Sequence, residues 1–176
     1  MKQPIRKKTN TISKPTKRTV KKKKTVRKHP QFGTSKLEQD FAREFLDKLG
    51  VKYVWQFPAK EIGRFFDYAI FINGNVSDFS NGNILLLEID GSYFHSDPRL
   101  VKEDEMNPMQ KRNKRVDEYK NKWALEHGIP IMRIWEKDIR ETPNKVMKEL
   151  KDRLYIEDKK QTLLEKKNKR HVNKMK

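Results

Sequence analysis

Apolar positions along this chain change period several times, and each change marks an element. In "TSKLEQDFAREFLDKLG", Leu37, Phe41, Phe45, Leu46 and Leu49 fall on one helical face, with Ser35 placed to cap the start and Gly50 to stop it. "KYVWQFPA" and "FFDYAIFI" are aromatic and β-branched enough for strands. Between them and the next apolar run, "NGNVSDFSNGN" is turn chemistry throughout and predicts a hairpin loop. "ILLLEID" follows, and its unbroken aliphatic run predicts a central strand covered on both faces.

"SDPRLVKEDEMNPMQ" is polar and predicts an exposed connection. "KRNKRVDEYKNKWALEHG" predicts a helix stopped at Gly128, "IPIMRIWE" a short buried strand, and "TPNKVMKELKDRLYIEDKKQTLLEKK" a final helix starting near Thr142 or Pro143. Its periodicity fades after Ile156. Trp123, Ile131, Ile134 and Trp135 are expected to pack the core. The element order is α-β-β-β-α-β-α, which predicts an α/β fold with a mixed central sheet flanked by helices. No internal repeat is visible.

The strand "ILLLEID" raises the chemical question, because it ends in acids. Residues two apart on a strand share a face, so Glu88 and Asp90 can serve one site. Two carboxylates after four aliphatics are unusual, since burying them is costly unless they are paired or bind metal. Asp67 lies between "GRFF" and "YAIFI", at a predicted strand start, and an antiparallel hairpin would bring it opposite Glu88 and Asp90. Convergent carboxylates suit a hard cation such as Mg²⁺, which polarises a phosphodiester and lowers the pKa of a bound water. Taken alone, Asp67 reads first as a solvated or salt-bridged strand-edge acid.

His95 follows Asp90 by five residues. It is either a surface or capping residue or a proton carrier, since its pKa lies near neutrality. Asp117 is a candidate carboxylate to orient it, and is otherwise an ordinary helix-surface acid among lysines. Ser35-x-x-Glu38 is a capping box, so Glu38 is read first as a cap, with a metal-linked role as the alternative. Tyr93 and Phe94 either pack the core or stack on bases. Lys111, Arg112, Lys114 and Arg115 either contact phosphate or form a solvated helix face.

Charge distribution changes this picture more than overall composition does. The 176 residues carry a net charge of +18. Residues 1–30 hold thirteen Lys/Arg and no acid, and residues 159–176 hold eight against Glu165 alone. The stretch between them has 21 basic and 23 acidic residues, so the excess sits at the two ends. A polyanion, and DNA in particular, is the expected partner. Three regions follow: a basic arm over 1–32, expected to be disordered when free and to track phosphates through residues such as Lys21, Lys22, Lys23 and Lys24; a core over 33–158; and a basic tail over 159–176.

With no cysteine, disulfides and thiolate zinc sites are excluded. No run approaches the roughly 20 apolar residues of a membrane span, and no apolar stretch resembles a secretory signal. The expected setting is the cytoplasm or nucleoid of a bacterial or virus-infected cell, with no membrane partner and no small-molecule cofactor. The oligomeric state is not legible.

Three blocks carry a resemblance. "GRFFDYAIF", "IDGSYFH" and "NKRVDEYKNKWALEHGIPIMRIWEKDI" resemble, over roughly residues 34–150, the very-short-patch-repair endonucleases. These form a branch of the PD-(D/E)xK nucleases, and the likeness is greatest to phage and homing enzymes with an E-D-x-H-D pattern. The resemblance implies a restriction-endonuclease-like core and Mg²⁺- or Mn²⁺-dependent DNA cleavage. It implies Asp67 as a metal-binding aspartate, the Ile89 carbonyl as a ligand, His95 as the catalytic histidine paired with Asp117, and Glu38 as a site residue. Asp90 stands where the repair enzymes carry a histidine, and Glu88-x-Asp90 looks more like the E-x-D-G strand of related small nucleases, so metal held by Glu88 and Asp90 is expected. Ser92 replaces the family's cysteine, so no structural zinc is expected, and "GRFFD" lacks the proline of G-R-P-D. Two other readings stand beside this one: a non-catalytic nucleic-acid-binding protein that keeps the fold, and a junction resolvase.

Overall fold

The computed structural model describes residues 35–73, 79 and 83–174. The basic arm, Lys21, Lys22, Lys23 and Lys24, and most of the predicted hairpin loop lie outside them.

Helix α1 (Lys36–Phe41) begins at a complete capping box: the Ser35 hydroxyl accepts the Glu38 N–H at 3.1 Å, and the Glu38 carboxylate accepts the Ser35 N–H at 2.9 Å. It continues through a π-helical stretch (Ala42–Leu46) and a last α turn (Asp47–Leu49), ending at Gly50 with φ +67°. Strands β1 (Lys52–Ala59), β2 (Arg64–Phe71) and β3 (Ile84–Asp90) follow. Helix α2 (Pro108–Glu126) leads to β4 (Ile131–Trp135), and the chain closes with α3 (Glu136–Glu141) and α4 (Pro143–Lys174).

The strand order is β1-β2-β3-β4, with β1–β2 and β2–β3 antiparallel and β3–β4 parallel. This is the expected mixed sheet, and β3 is central with every residue buried. Its alternation splits the core into two clusters. On one face Leu87 and Ile89 pack with Tyr68, with Phe41 and Phe45 of the first helix, and with Val146 and Leu150 of α4. On the other face Ile84 and Leu86 pack with Phe66, Phe71, and Trp123 of α2.

Three differences from the sequence reading have local causes. Helix α2 starts three residues earlier than its apolar pattern suggests, because Asn107 caps it, Pro108 fits the first turn and Gln110 completes a second capping box. The short helix α3 occupies what reads as a connection. Helix α4 runs to Lys174, past the predicted segment that ends at Lys167, so the expected border of the basic tail at 158/159 falls inside a helix. The stretch contains no Gly or Pro and is rich in Lys, Leu and Glu, whose helix propensity extends the element beyond its packed face. At 32 residues it is about 48 Å long. No helix among the described residues is long and apolar enough to cross a membrane.

Candidate functional site

The site forms where β2 and β3 part. Their backbone ladder runs from Phe71↔Ile84 to Tyr68↔Leu87 and stops. Beyond it, β2 continues beside β1 to Arg64, while β3 continues beside β4 to Asp90. Side chains replace the missing ladder bonds. The Asp67 carboxylate accepts the Ile89 N–H at 2.7 Å, and the Glu88 carboxylate accepts the Asp67 N–H at 3.3 Å. Asp67 is therefore inside β2 rather than at its start, but it is the first residue past the β2–β3 pairing.

Two other carboxylate contacts complete this cluster. Glu38 uses one oxygen as the helix cap, while the other accepts the Gln56 side-chain amide at 3.3 Å. Cap and site roles are thus compatible on one side chain. Gln56 sits in mid-strand with φ +51°, a left-handed conformation that a non-glycine residue adopts only when its surroundings enforce it. From α2, the buried Lys120 ammonium lies 2.6 Å from Glu88 and 4.9 Å from the centre of the Phe66 ring.

Asp67 as a whole residue is only partly buried, yet burial of its carboxyl raises its pKa well above the ordinary carboxylate value. The Glu88 and Glu38 charges push the same way, against the Ile89 N–H and Lys120. Burial also raises Glu88, with Lys120 opposing it most strongly.

A second cluster lies next to it. Arg133 of β4 forks Asp90 with two bonds of 2.7 Å, reaches Asp117 at 2.9 Å and donates to the Asn121 side chain at 3.1 Å. Its far nitrogen is 3.9 Å from Glu88 and so joins the two clusters. His95 Nδ1 is 2.7 Å from Asp117 and 3.5 Å from Asp90. The turn after β3 brings the histidine back: the His95 N–H bonds the Gly91 carbonyl, and the Asp97 N–H bonds the Ser92 carbonyl. Two side chains of α2 hold that turn, with the Gln110 amide on the Tyr93 carbonyl and the Asn113 amide on the Phe94 carbonyl.

Asp90, His95 and Asp117 could hold a metal ion, since one ligand atom from each lies within 4.8 Å of the others. Arg133 already balances Asp90, however. Glu88 and Asp90 share a strand face, but within the chain Glu88 pairs with Lys120 beside Asp67, and Asp90 pairs with Arg133 beside His95.

Burial disfavours the charged imidazole of His95, but the Asp117 hydrogen bond and the Asp117 and Asp90 charges outweigh it, so its pKa is raised. Asp117 is opposed by burial and lowered by His95 and Arg133. A raised histidine stabilises the fold fully below the unfolded value of about 6.5, and that contribution is lost as pH rises through the folded value. Asp117→Asn should lower the His95 pKa. An NMR titration of the ring carbons would show this, and an unchanged midpoint would rule out the pairing as its cause.

Tyr93 and Phe94 are 59% and 56% exposed and lie edge to face at 5.4 Å. Core packing is therefore not their role. Lys111, Arg112 and Arg115 are exposed on α2, while Lys114 pairs with Glu103 at 2.6 Å. Trp123 and Ile134 are buried as expected, but Ile131 and Trp135 are only partly so.

Sequence reading missed Gln56, Lys120 and Arg133. The inward face of α2 reads Gln110, Asn113, Asp117, Lys120 and Trp123 at steps of three and four, which puts polar residues where a core helix normally has apolar ones. Arg133 interrupts the apolar "IMRIW". Those were the available signals; Gln56 gave none. No protein-family model, curated protein or solved structure matches this chain.

Proposed function

We propose that this protein is a divalent-cation-dependent DNA endonuclease with a restriction-endonuclease-like core, hydrolysing phosphodiester bonds at the junction of the two clusters. The observation that carries the reading is the partly exposed Asp67, set against Glu88 at the strand junction and raised by the Glu88 and Glu38 charges after burial, beside a histidine–aspartate dyad. Oxygen donors fit Mg²⁺ or Mn²⁺. Asp67 and Glu88, with the Ile89 carbonyl beside them, would hold the cation, which supplies Lewis acidity toward the phosphate and its attacking water.

The chain's own residues account for the remaining roles. With a carboxylate on Nδ1, the His95 proton sits there and Nε2 is free to exchange one. The raised pKa shifts the ring toward the imidazolium, the form that can protonate the departing oxygen. Arg133 fixes Asp117 and Asp90, and so fixes the histidine. Lys120 holds Glu88 and offsets part of its charge. Lys111, Arg112 and Arg115 supply phosphate contacts, while Tyr93 and Phe94 offer aromatic surface to bases. The basic ends add salt-sensitive affinity.

Plasmid cleavage with Mg²⁺ by wild type, Asp67→Ala and His95→Ala tests this reading. Activity confined to the wild type is expected. An inert wild type, or full activity in both variants, would remove the catalytic assignment.

One observation favours a binding-only protein: Glu88 and Asp90 already face Lys120 and Arg133 within the chain. Such a protein would bind DNA without cleaving it, and Mg²⁺ would leave its melting temperature unchanged.

A further inference from the structure

A cleft of about 490 Å³ is lined by Asp90, His95, Asp117 and Arg133 and, beyond them, by residues that the hydrolytic roles do not use. Its apolar wall comes from Pro98, Val101, Met106 and Trp135. Ser96 also lines it. That residue is 3% exposed, its hydroxyl has no hydrogen-bond partner, and its backbone is held at φ +56°. A buried hydroxyl without a partner costs about 1–3 kcal/mol, so it marks a place where a ligand atom is expected. Asn121, whose side-chain oxygen is taken by Arg133, also lines the cleft and keeps its amide donors. Lys102 lies at the same cleft, with Glu118 and the Lys114–Glu103 pair.

A flat group with an apolar face and a polar edge that both donates and accepts fits this lining, next to a cation suited to a phosphate. The volume lies within the range of small-ligand pockets. Resting on the nuclease reading, we propose that this cleft takes one unstacked nucleobase of a single-stranded or locally opened DNA. Trp135 and Met106 would contact its face, Ser96 and Asn121 would bond its edge, and the attached phosphate would be left near His95. Unstacking costs a few kcal/mol in duplex DNA and least in a single strand, so the cleft would favour open or distorted DNA.

The test is a binding measurement in EDTA, where cleavage plays no part. Fluorescence anisotropy compares a deoxyadenosine homopolymer with the same strand carrying abasic sugars throughout, on the 176-residue chain. The wild type should prefer the base-bearing strand by about tenfold, the worth of one stacked base. Met106→Trp and Val101→Trp each fill the cleft and should reduce that preference severalfold, leaving only the part that Tyr93 and Phe94 supply; circular dichroism checks their folding. Ser96→Ala should reduce it severalfold without changing the wall. Equal wild-type affinity for both strands would overturn the proposal, as would a preference retained in full by both tryptophan variants. Either result leaves Mg²⁺-dependent plasmid cleavage as a separate question, so failure of the cleft and failure of the nuclease reading are distinguishable.

Discussion

Asp67→Asn is expected to abolish the proposed Mg²⁺-dependent cleavage and to raise the melting temperature of the cation-free protein. Asparagine keeps an oxygen for the Ile89 N–H, so the strand junction survives. It removes a buried charge, and with it the burial cost and the Glu88 and Glu38 repulsion that raise the Asp67 pKa. The sign follows from linkage. A carboxyl raised on folding costs nothing while both states are protonated. Its cost begins as pH passes the unfolded value near 3.8 and grows until the folded form ionises. At neutral pH the aspartate therefore destabilises the cation-free fold, and removing its charge should raise the melting temperature by a few degrees. Adding Mg²⁺ should stabilise wild type and leave the variant unmoved. Cleavage should fall by roughly a thousandfold or more with the loss of Lewis-acid assistance. Calorimetry with and without EDTA, paired with plasmid cleavage, provides the measurement. A variant that melts lower than wild type in EDTA would show that Asp67 is structural.

Arg133→Met produces the largest loss of stability. Asp90 is 1% exposed, and both its oxygens are bound by this one guanidinium. Removing one partner of a buried pair leaves an uncompensated charge, which costs about 3–5 kcal/mol. Asp117 loses a partner as well, so His95 is held less firmly and cleavage falls with stability. Asp90→Asn placed on top of Arg133→Met should recover part of the stability, because no buried charge is then left alone. Urea unfolding of the two single variants and the double variant gives the coupling directly. If the double variant is as unstable as the sum of the singles, the pair is not what holds this corner together.

The sheet was legible because its signals are local. Four apolar runs, each ending in turn residues, predict four strands, and the unbroken aliphatics of Ile84 to Leu87 mark the covered one. Part of the site was legible for the same reason. Glu88 and Asp90 end a strand whose register is set by its hydrophobic face, and the hairpin order alone places Asp67 near them. The polar partners were not legible. Lys120 and Glu88 are 32 residues apart, and Arg133 and Asp90 are 43 apart. Their apolar settings on α2 and in "IMRIW" mark both as unusual, but nothing in the chain says which acid each one meets.

What the sequence determined by itself is the four strands, the three main helices and their order, the basic ends and the presence of two acids at the end of the most buried strand. The strands and helices depend on periods of two and three to four residues, which neighbouring positions settle among themselves. Only the tertiary structure decided how those acids divide. Glu88 pairs with Lys120 beside Asp67, whereas Asp90 turns to Arg133 and His95. That division depends on where β2 and β3 part and on which cations α2 and β4 carry into the gap. A buried charge is settled by whichever opposite charge the fold brings within about 3 Å.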